Sequence, residues 1–379
     1  MDFDLNDEQR LLKDSVERLI ASRYEFDQRK QHANNPDGWS RELWAQYAEL
    51  GLLGLPFAEQ HGGFGGGPTE TMIVMEAFGR GLVLEPYLAT VILGGSLLRH
   101  AGDAAQQAKL LPAVAAGKLL LAFAQTERQA RYDLADVATA ARRDGDAWRL
   151  DGEKSLVLHG DCADTLIVSA RVSGNRRDRD GIGLFLLDAR GNGVTRRGYP
   201  AQDGQRAAEI TLDGARGEPL GAPGQALPVI ERVVDEAIAA LCAEAIGVMA
   251  SMHELTVEYL KTRKQFGRAI GEFQVLQHRA VDMLVALEQA RSMALFATMM
   301  TTSDDAAERH RAIAAAKVQV GKSGRHVGQE AIQLHGGIGM TMEYKVGHYF
   351  KRMTVIELMF GDTETHLAAL ADMGSLIAA

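Results

Sequence analysis

Ile230-Glu231-Arg232-Val233-Val234-Asp235-Glu236-Ala237-Ile238-Ala239-Ala240-Leu241 is the stretch on which the reading of the fold turns. Its apolar residues Ile230, Val233, Val234, Ala237, Ile238 and Leu241 recur at i, i+3, i+4, i+7, i+8 and i+11, which is one face of a buried α-helix. Further helical patterns run through Tyr259, from Phe273 to Met300, from Ala306 to Gln333, and from Thr363 to the end. Helices of this length pack as a bundle, so residues 225–379 are expected to form a C-terminal helical domain.

Toward the N-terminus the pattern changes. Residues 118–224 carry short apolar runs, Trp148-Arg149-Leu150, Leu166-Ile167-Val168 and Leu184 to Leu187, that suit strands. Asp-Gly pairs at Asp144, Asp151, Asp180, Asp203 and Asp213 supply the positive backbone angles of tight hairpins. A small antiparallel barrel or sandwich is expected. The run Asn175 to Asp180, with charges of alternating sign, reads as a solvated hairpin tip.

Residues 1–117 return to helices. Asn6 is placed to cap the first, with Gln9 reaching back, ahead of Leu11, Leu12, Val16, Leu19 and Ile20 at helical spacing. The glycine-rich segment Gly62 to Gly67 superficially matches a dinucleotide loop, but no strand precedes it and no helix N-terminus is placed to receive a diphosphate. The expected class is mainly α with a middle β-barrel.

Composition excludes several functions. A net charge of -9 over 379 residues, without a basic stripe, argues against nucleic-acid partners. Cys162 and Cys242 stand outside any CxxC or Cys/His cluster, so neither a disulfide framework nor a zinc site has its material. The opening residues carry acids where a secretory signal carries bases, and no stretch approaches the roughly 18 to 20 apolar residues of a membrane span. A cytoplasmic protein is expected. Di-iron bundles need paired Glu-x-x-His segments and serine hydrolases a GxSxG elbow; the chain has neither.

Two segments do have anion-binding ingredients. They are Arg263-Lys264-Gln265-Phe266-Gly267, leading to Gln274, and Gln333-Leu334-His335-Gly336-Gly337-Ile338-Gly339-Met340. A guanidinium grips phosphate bidentately, and glycines let backbone N–H groups approach anionic oxygens. A helix-terminating glycine loop beside a surface arginine is the plainer alternative for each alone.

With Phe3-Asp4-Leu5-Asn6-Asp7-Glu8-Gln9, and with Gly51-Leu52-Leu53-Gly54-Leu55-Pro56 leading to Gly62-Gly63, these segments make the chain resemble the acyl-CoA dehydrogenase family over essentially its whole length. The resemblance is strongest to the small subunit of pimeloyl-CoA dehydrogenase-like pairs. It implies an N-terminal helical domain, a middle β-barrel and a C-terminal four-helix bundle. It implies FAD at subunit interfaces of a homo- or hetero-tetramer, an acyl-CoA substrate, and electron transfer flavoprotein as acceptor. Arg263, Phe266, Gln274, Gln333, Gly336 and Gly337 would hold the ADP half of an FAD whose ring sits in the neighbouring subunit. Phe123-Ala124-Gln125-Thr126 would run beside a flavin ring, with Thr126 and the Gln125 backbone as contacts.

The agreement then falters. Where the family usually continues Glu-Pro-Gly-Ala-Gly-Ser-Asp, this chain has Glu127-Arg128-Gln129-Ala130-Arg131-Tyr132-Asp133, and Leu156 and Leu158 replace an aromatic and a hydroxyl residue beside the flavin. The family reaction removes a proton next to a thioester carbonyl and so needs a carboxylate within reach. Phe360-Gly361-Asp362-Thr363 places Gly361 where the usual glutamate would be, and Ala237 takes the alternative position. Asp362 and Glu244 are the substitute candidates. Asp362 equally suits the N-cap of the last helix, and Glu244 a pairing with Arg279 or Arg291. Glu236 points about 100° away from Ala237 around the helix and ranks last.

Overall fold

The structure, a computed structural model, describes residues 5–145 and 147–374. Phe3 and Asp4 of the opening motif, and the end of the expected final helix, lie outside the described residues. Helices α1 (Asp7–Arg23), α2 (Phe26–Ala33), α3 (Arg41–Glu49) and α4 (Pro68–Gly81) come first, then a π-helix (Leu88–Gly95), α5 (Ser96–Ala101) and α6 (Ala104–Ala115). Strands β1 (Leu121–Ala124), β2 (Ala140–Asp144), β3 (Ala147–Leu158), β4 (Thr165–Arg171), β5 (Ile182–Asp188), β6 (Val194–Pro200) and β7 (Arg206–Leu220) follow. The chain closes with α7 (Leu227–Thr262), the hairpin β8 (Lys264–Gln265) and β9 (Arg268–Ala269), α8 (Gln274–Met300), α9 (Ala306–His335), α10 (Val346–Leu358) and α11 (Thr363–Asp372). Helices thus flank a middle β-barrel, as the sequence leads one to expect.

The chain divides into two compact units. One combines the described residues up to Gln31 with Pro68–Val83 and the chain from Ile238 onward. In it α1 begins with the expected capping box, Asn6 accepting from the Gln9 amide at 2.8 Å and donating to the Gln9 side chain at 3.1 Å. Helices α4 and α7 meet backbone to backbone. A Cβ on Gly79 would lie 2.0 Å from the Glu244 carbonyl oxygen, and one on Gly247 2.0 Å from that of Glu76. Only hydrogen fits between them. All six stripe residues of the α7 motif are buried. Helix α10 has no counterpart in the sequence reading, because its buried residues Val346, Tyr349, Arg352, Met353 and Ile356 include an arginine that breaks the apolar period.

The other unit holds His32–Gly67 and Leu84–Ala237. Its strands close into a ring, since β4 pairs with β2 and β5 while β2–β3–β7–β5 complete the circuit; β1 lies beside β4 and β6 beside β7. Closure removes the open edges a sheet would otherwise expose. Leu150, Leu166, Val168, Phe185, Leu187 and Ile210 fill the interior. The barrel is not wholly antiparallel as expected, for β1 and β4 run parallel. Of the five Asp-Gly pairs, Asp151-Gly152 and Asp213-Gly214 lie inside the long strands β3 and β7, where the register shifts and the Gly214 amide donates to Asp151 Oδ1 at 2.8 Å. They form a bulge that bends the pair, and only the pairs outside the strands serve turns or loops.

The charged run before β5 is also more than a solvated tip. Arg176 and Arg177 each reach a different oxygen of Asp136 at 2.8 Å, and Asp136 is 1% exposed. Arg171 donates to the carbonyls of Ala135, Arg176, Asp178 and Asp180. The glycine segment near residue 63 folds back on the turn before it, with the Gly65 and Gly66 amides donating to Phe57 and Leu55 carbonyls at 2.7 Å. Those amides are spent within the loop and are not offered to a diphosphate.

Candidate functional site

Within the first unit the segments 263–267 and 333–340 come to one end of the bundle. The His335 ring, at the end of α9, stacks on Tyr259 near the end of α7 with centroids 4.6 Å apart. Arg279 on α8 pairs with Glu330 on α9 at 2.5 Å, which ties the start of α8 to the same end. Arg263, Phe266, Gln274, Gln333, Gly336 and Gly337 are all exposed there. Phe266 is 89% exposed with a φ of 52°, edge-on to Phe273. A large apolar ring so presented, in a backbone conformation uncommon for it, is available to a partner surface or ligand. Around Gly336 and Gly337 a Cβ would meet nothing within 4 Å, so their backbone is open to an incoming group. Burial lowers the His335 pKa, and its Nδ1 lies 2.7 Å from the Ala331 carbonyl oxygen.

The candidate carboxylates are both engaged. Glu244 is buried and meets Arg352 bidentately, Oε1 to Nε at 2.6 Å and Oε2 to Nη2 at 2.7 Å. Its partner is therefore Arg352 on α10 and neither Arg279, which takes Glu330, nor Arg291, which takes Glu76 at 2.7 Å. Glu244 faces α10, a helix the sequence did not reveal. Asp362 caps α11, accepting from the Thr365 amide at 2.8 Å and its hydroxyl at 2.7 Å. Gly361, with a φ of 109°, leaves no room for a side chain, since a Cβ would lie 2.7 Å from His366 Nε2. Beneath this corner the buried Lys317 ammonium donates to the Ile356 carbonyl, and burial pulls its pKa down to about 8. In the second unit Glu236 binds His100 at 2.8 Å and Arg99 at 3.1 Å.

Gln125 and Thr126 belong to the second unit, where they leave the end of β1. Gln125 is buried and Thr126 half-buried. Behind them lies a network that the sequence did not disclose. Lys154, 0% exposed, donates to Glu127 Oε1 at 2.7 Å, Ser169 Oγ at 3.1 Å and the Gln125 carbonyl at 3.2 Å. Glu127 also accepts from the Ala138 and Thr139 amides and from Gln129. Burial raises the Glu127 pKa, but the Lys154 charge and these hydrogen bonds prevail and hold it near 2. For Lys154 burial prevails over Glu127 and brings the pKa down to about 8. Lys154 faces inward with Leu150 in the alternation of β3, a position where a lysine reads as solvent-facing until its carboxylate partner is known, and a bulge follows it before Val157. At that bulge Leu156 has a φ of 55° and is 56% exposed, and the nearby Ser155 hydroxyl is committed to Glu209 at 3.0 Å.

Among the described residues no group of three or more His, Cys, Asp and Glu side chains is placed to hold a metal, and no helix is long and apolar enough to cross a membrane. A cavity of about 590 Å³ in the first unit, lined by Tyr24, Arg29, Arg80, Glu254, Glu258 and Tyr349, contains none of the candidate residues.

Comparison with known proteins places the whole architecture. The acyl-CoA dehydrogenase N-terminal, middle and C-terminal domain families match residues 6–118, 122–214 and 226–374. The chain is 28% identical over 379 residues to the probable acyl-CoA dehydrogenase YngJ of Bacillus subtilis, covering 98% of this chain and 99% of that protein. Among solved structures it is similar to a variant of the Tcur3481-Tcur3483 steroid ACAD, at 29% identity and a TM-score of 0.88 over 97% of each chain. It is also similar to the FAD complex of PigA, at 26% identity and a TM-score of 0.89 over 98% of each chain. With all three domain families matched in order across nearly its full length, this chain belongs to the acyl-CoA dehydrogenase family.

Proposed function

We propose that this chain is one subunit of an FAD-dependent acyl-CoA dehydrogenase, contributing cofactor contacts while a related subunit contributes the carboxylate that removes the substrate proton. The observation that carries this reading is the engagement of both candidate bases: Glu244 locked by Arg352, and Asp362 spent on the α11 N-terminus. A general base must be free to turn toward the C–H it ionises, and each of these carboxylates is held by another partner, Glu244 through both oxygens and Asp362 through Oδ1.

The residues fit a flavin dinucleotide. Arg263 offers a guanidinium to a phosphate pair, Gly336 and Gly337 offer open backbone, Gln274 and Gln333 offer amides, and Phe266 offers an uncovered apolar face. These would serve the ADP half of an FAD whose ring lies in the neighbouring subunit, while Gln125 and Thr126 would face a ring in this chain. Bound FAD supplies the hydride acceptor. The exposed Val275, Val281, Leu284 and Val285 of α8 support assembly into a tetramer, since an apolar surface of that kind favours burial against another chain. Acyl-CoA as substrate, electron transfer flavoprotein as acceptor, a cytoplasmic setting and kinship to pimeloyl-CoA dehydrogenase small subunits extend the same reading.

FAD content and acyl-CoA oxidation of the chain expressed alone and with a related, carboxylate-bearing subunit test it. Little FAD and no oxidation alone, with a yellow and active complex together, is the expected result. The reading fails if the isolated chain oxidises an acyl-CoA and Asp362→Asn or Glu244→Gln abolishes that oxidation.

A further inference from the structure

We propose that Lys154 is a positioning residue that aims the Thr126 amide N–H at the cofactor. The inference rests on the reading that Gln125 and Thr126 face a flavin ring. Lys154 has three N–H donors, and all three are used, on Glu127, Ser169 and the Gln125 carbonyl. Glu127 and Ser169 satisfy its charge and bury it. The third bond, to the backbone of a segment that has just left the sheet, is the one with a directional consequence.

A trans peptide is planar, with its C=O and the following N–H pointing in opposite directions. Drawing the Gln125 carbonyl toward Lys154 therefore turns the Thr126 N–H the other way. The next carbonyl is fixed as well, because Thr126 accepts from the Ser155 amide at 2.8 Å. With both flanking peptide planes held, the Thr126 amide is a rigid donor, and among the described residues it meets no acceptor. A half-buried amide in that state suits a ring carbonyl or ring nitrogen of a planar heterocycle. Stability alone gives a weaker account of the network, since apolar residues of similar volume commonly replace a buried ion pair without loss.

The test uses Glu127→Gln with Lys154→Met, which removes both charges together and leaves the introduced side-chain amide oxygen to accept from the Ala138 or Thr139 amide. Two measurements apply: hydrogen exchange of the Ser155 amide in this chain, and FAD content of the complex formed with the related subunit. The expected results are Ser155 exchange faster by about tenfold, with β5 amides unchanged, and loss of the FAD held by this chain while the partner's FAD remains. Unchanged FAD content, even with a lowered melting temperature, overturns the proposal and leaves Lys154 a structural residue. If the wild-type complex holds no FAD, the proposed function fails, and Ser155 exchange still decides whether Lys154 fixes the segment. Should the double variant not fold, Ser169→Ala is measured in its place; unaltered Ser155 exchange there overturns the proposal, and faster exchange supports it.

Discussion

Removing Arg352 isolates the pair that closes Glu244 to chemistry. In Arg352→Met the Glu244 carboxylate loses two charge-assisted bonds of 2.6 and 2.7 Å and is left buried beside an apolar side chain. Breaking a buried pair from one side costs about 3–5 kcal/mol, because desolvation of the remaining charge is no longer offset. At about 2–4 °C per kcal/mol for a unit of this size, the melting temperature should fall by about 6–20 °C. The companion variant Glu244→Leu with Arg352→Met removes both charges, and its stability should return to within about 2 kcal/mol of the wild type or exceed it. Thermal unfolding followed by circular dichroism, with urea titration as the equilibrium check, gives both numbers. A single variant as stable as the wild type, or a double variant as damaged as the single, would refute the argument that Arg352 is what makes Glu244 tolerable in the bundle.

Other outcomes follow from the same structure. Gly79→Ala and Gly247→Ala each drive a methyl to 2.0 Å from a carbonyl oxygen on the facing helix, so each should destabilise by about 1–3 kcal/mol in urea titration. Asp362→Ala should cost about 1 kcal/mol by loss of the α11 cap, whereas Asp362→Asn, which caps as well, should leave both stability and activity of the complex unchanged. Glu127 has a folded pKa depressed from 4.5 to about 2, so the stability it contributes is full above about pH 4.5 and is lost as pH falls toward 2. Glu127→Gln should flatten that part of the stability–pH curve, measured by melting temperature between pH 2 and 5.

The helical periods were legible because they are local. A buried face recurring at i, i+3 and i+4 announces α7, and its six predicted stripe residues are all buried. The Asn6 capping box was equally plain, since its partners are three residues apart. Asp-Gly pairs misled at Asp151 and Asp213, where the same backbone freedom serves a strand bulge in place of a turn. Helix α10 escaped notice because Arg352 sits at a core position, and an arginine in an apolar period reads as an interruption until its carboxylate is known.

Family membership and the order helices, barrel, bundle were written in the chain itself, in spacings and short motifs that any one segment carries. The pairing of Glu244 with Arg352, 108 residues away, and of Glu127 with Lys154, 27 residues away, was not. Both depend on which buried surfaces the fold brings face to face. A carboxylate in a sequence is only a candidate base; whether it is free, capped or locked is decided by the partner that packing delivers to it, because in a low-dielectric interior an unpaired charge is too costly to leave alone.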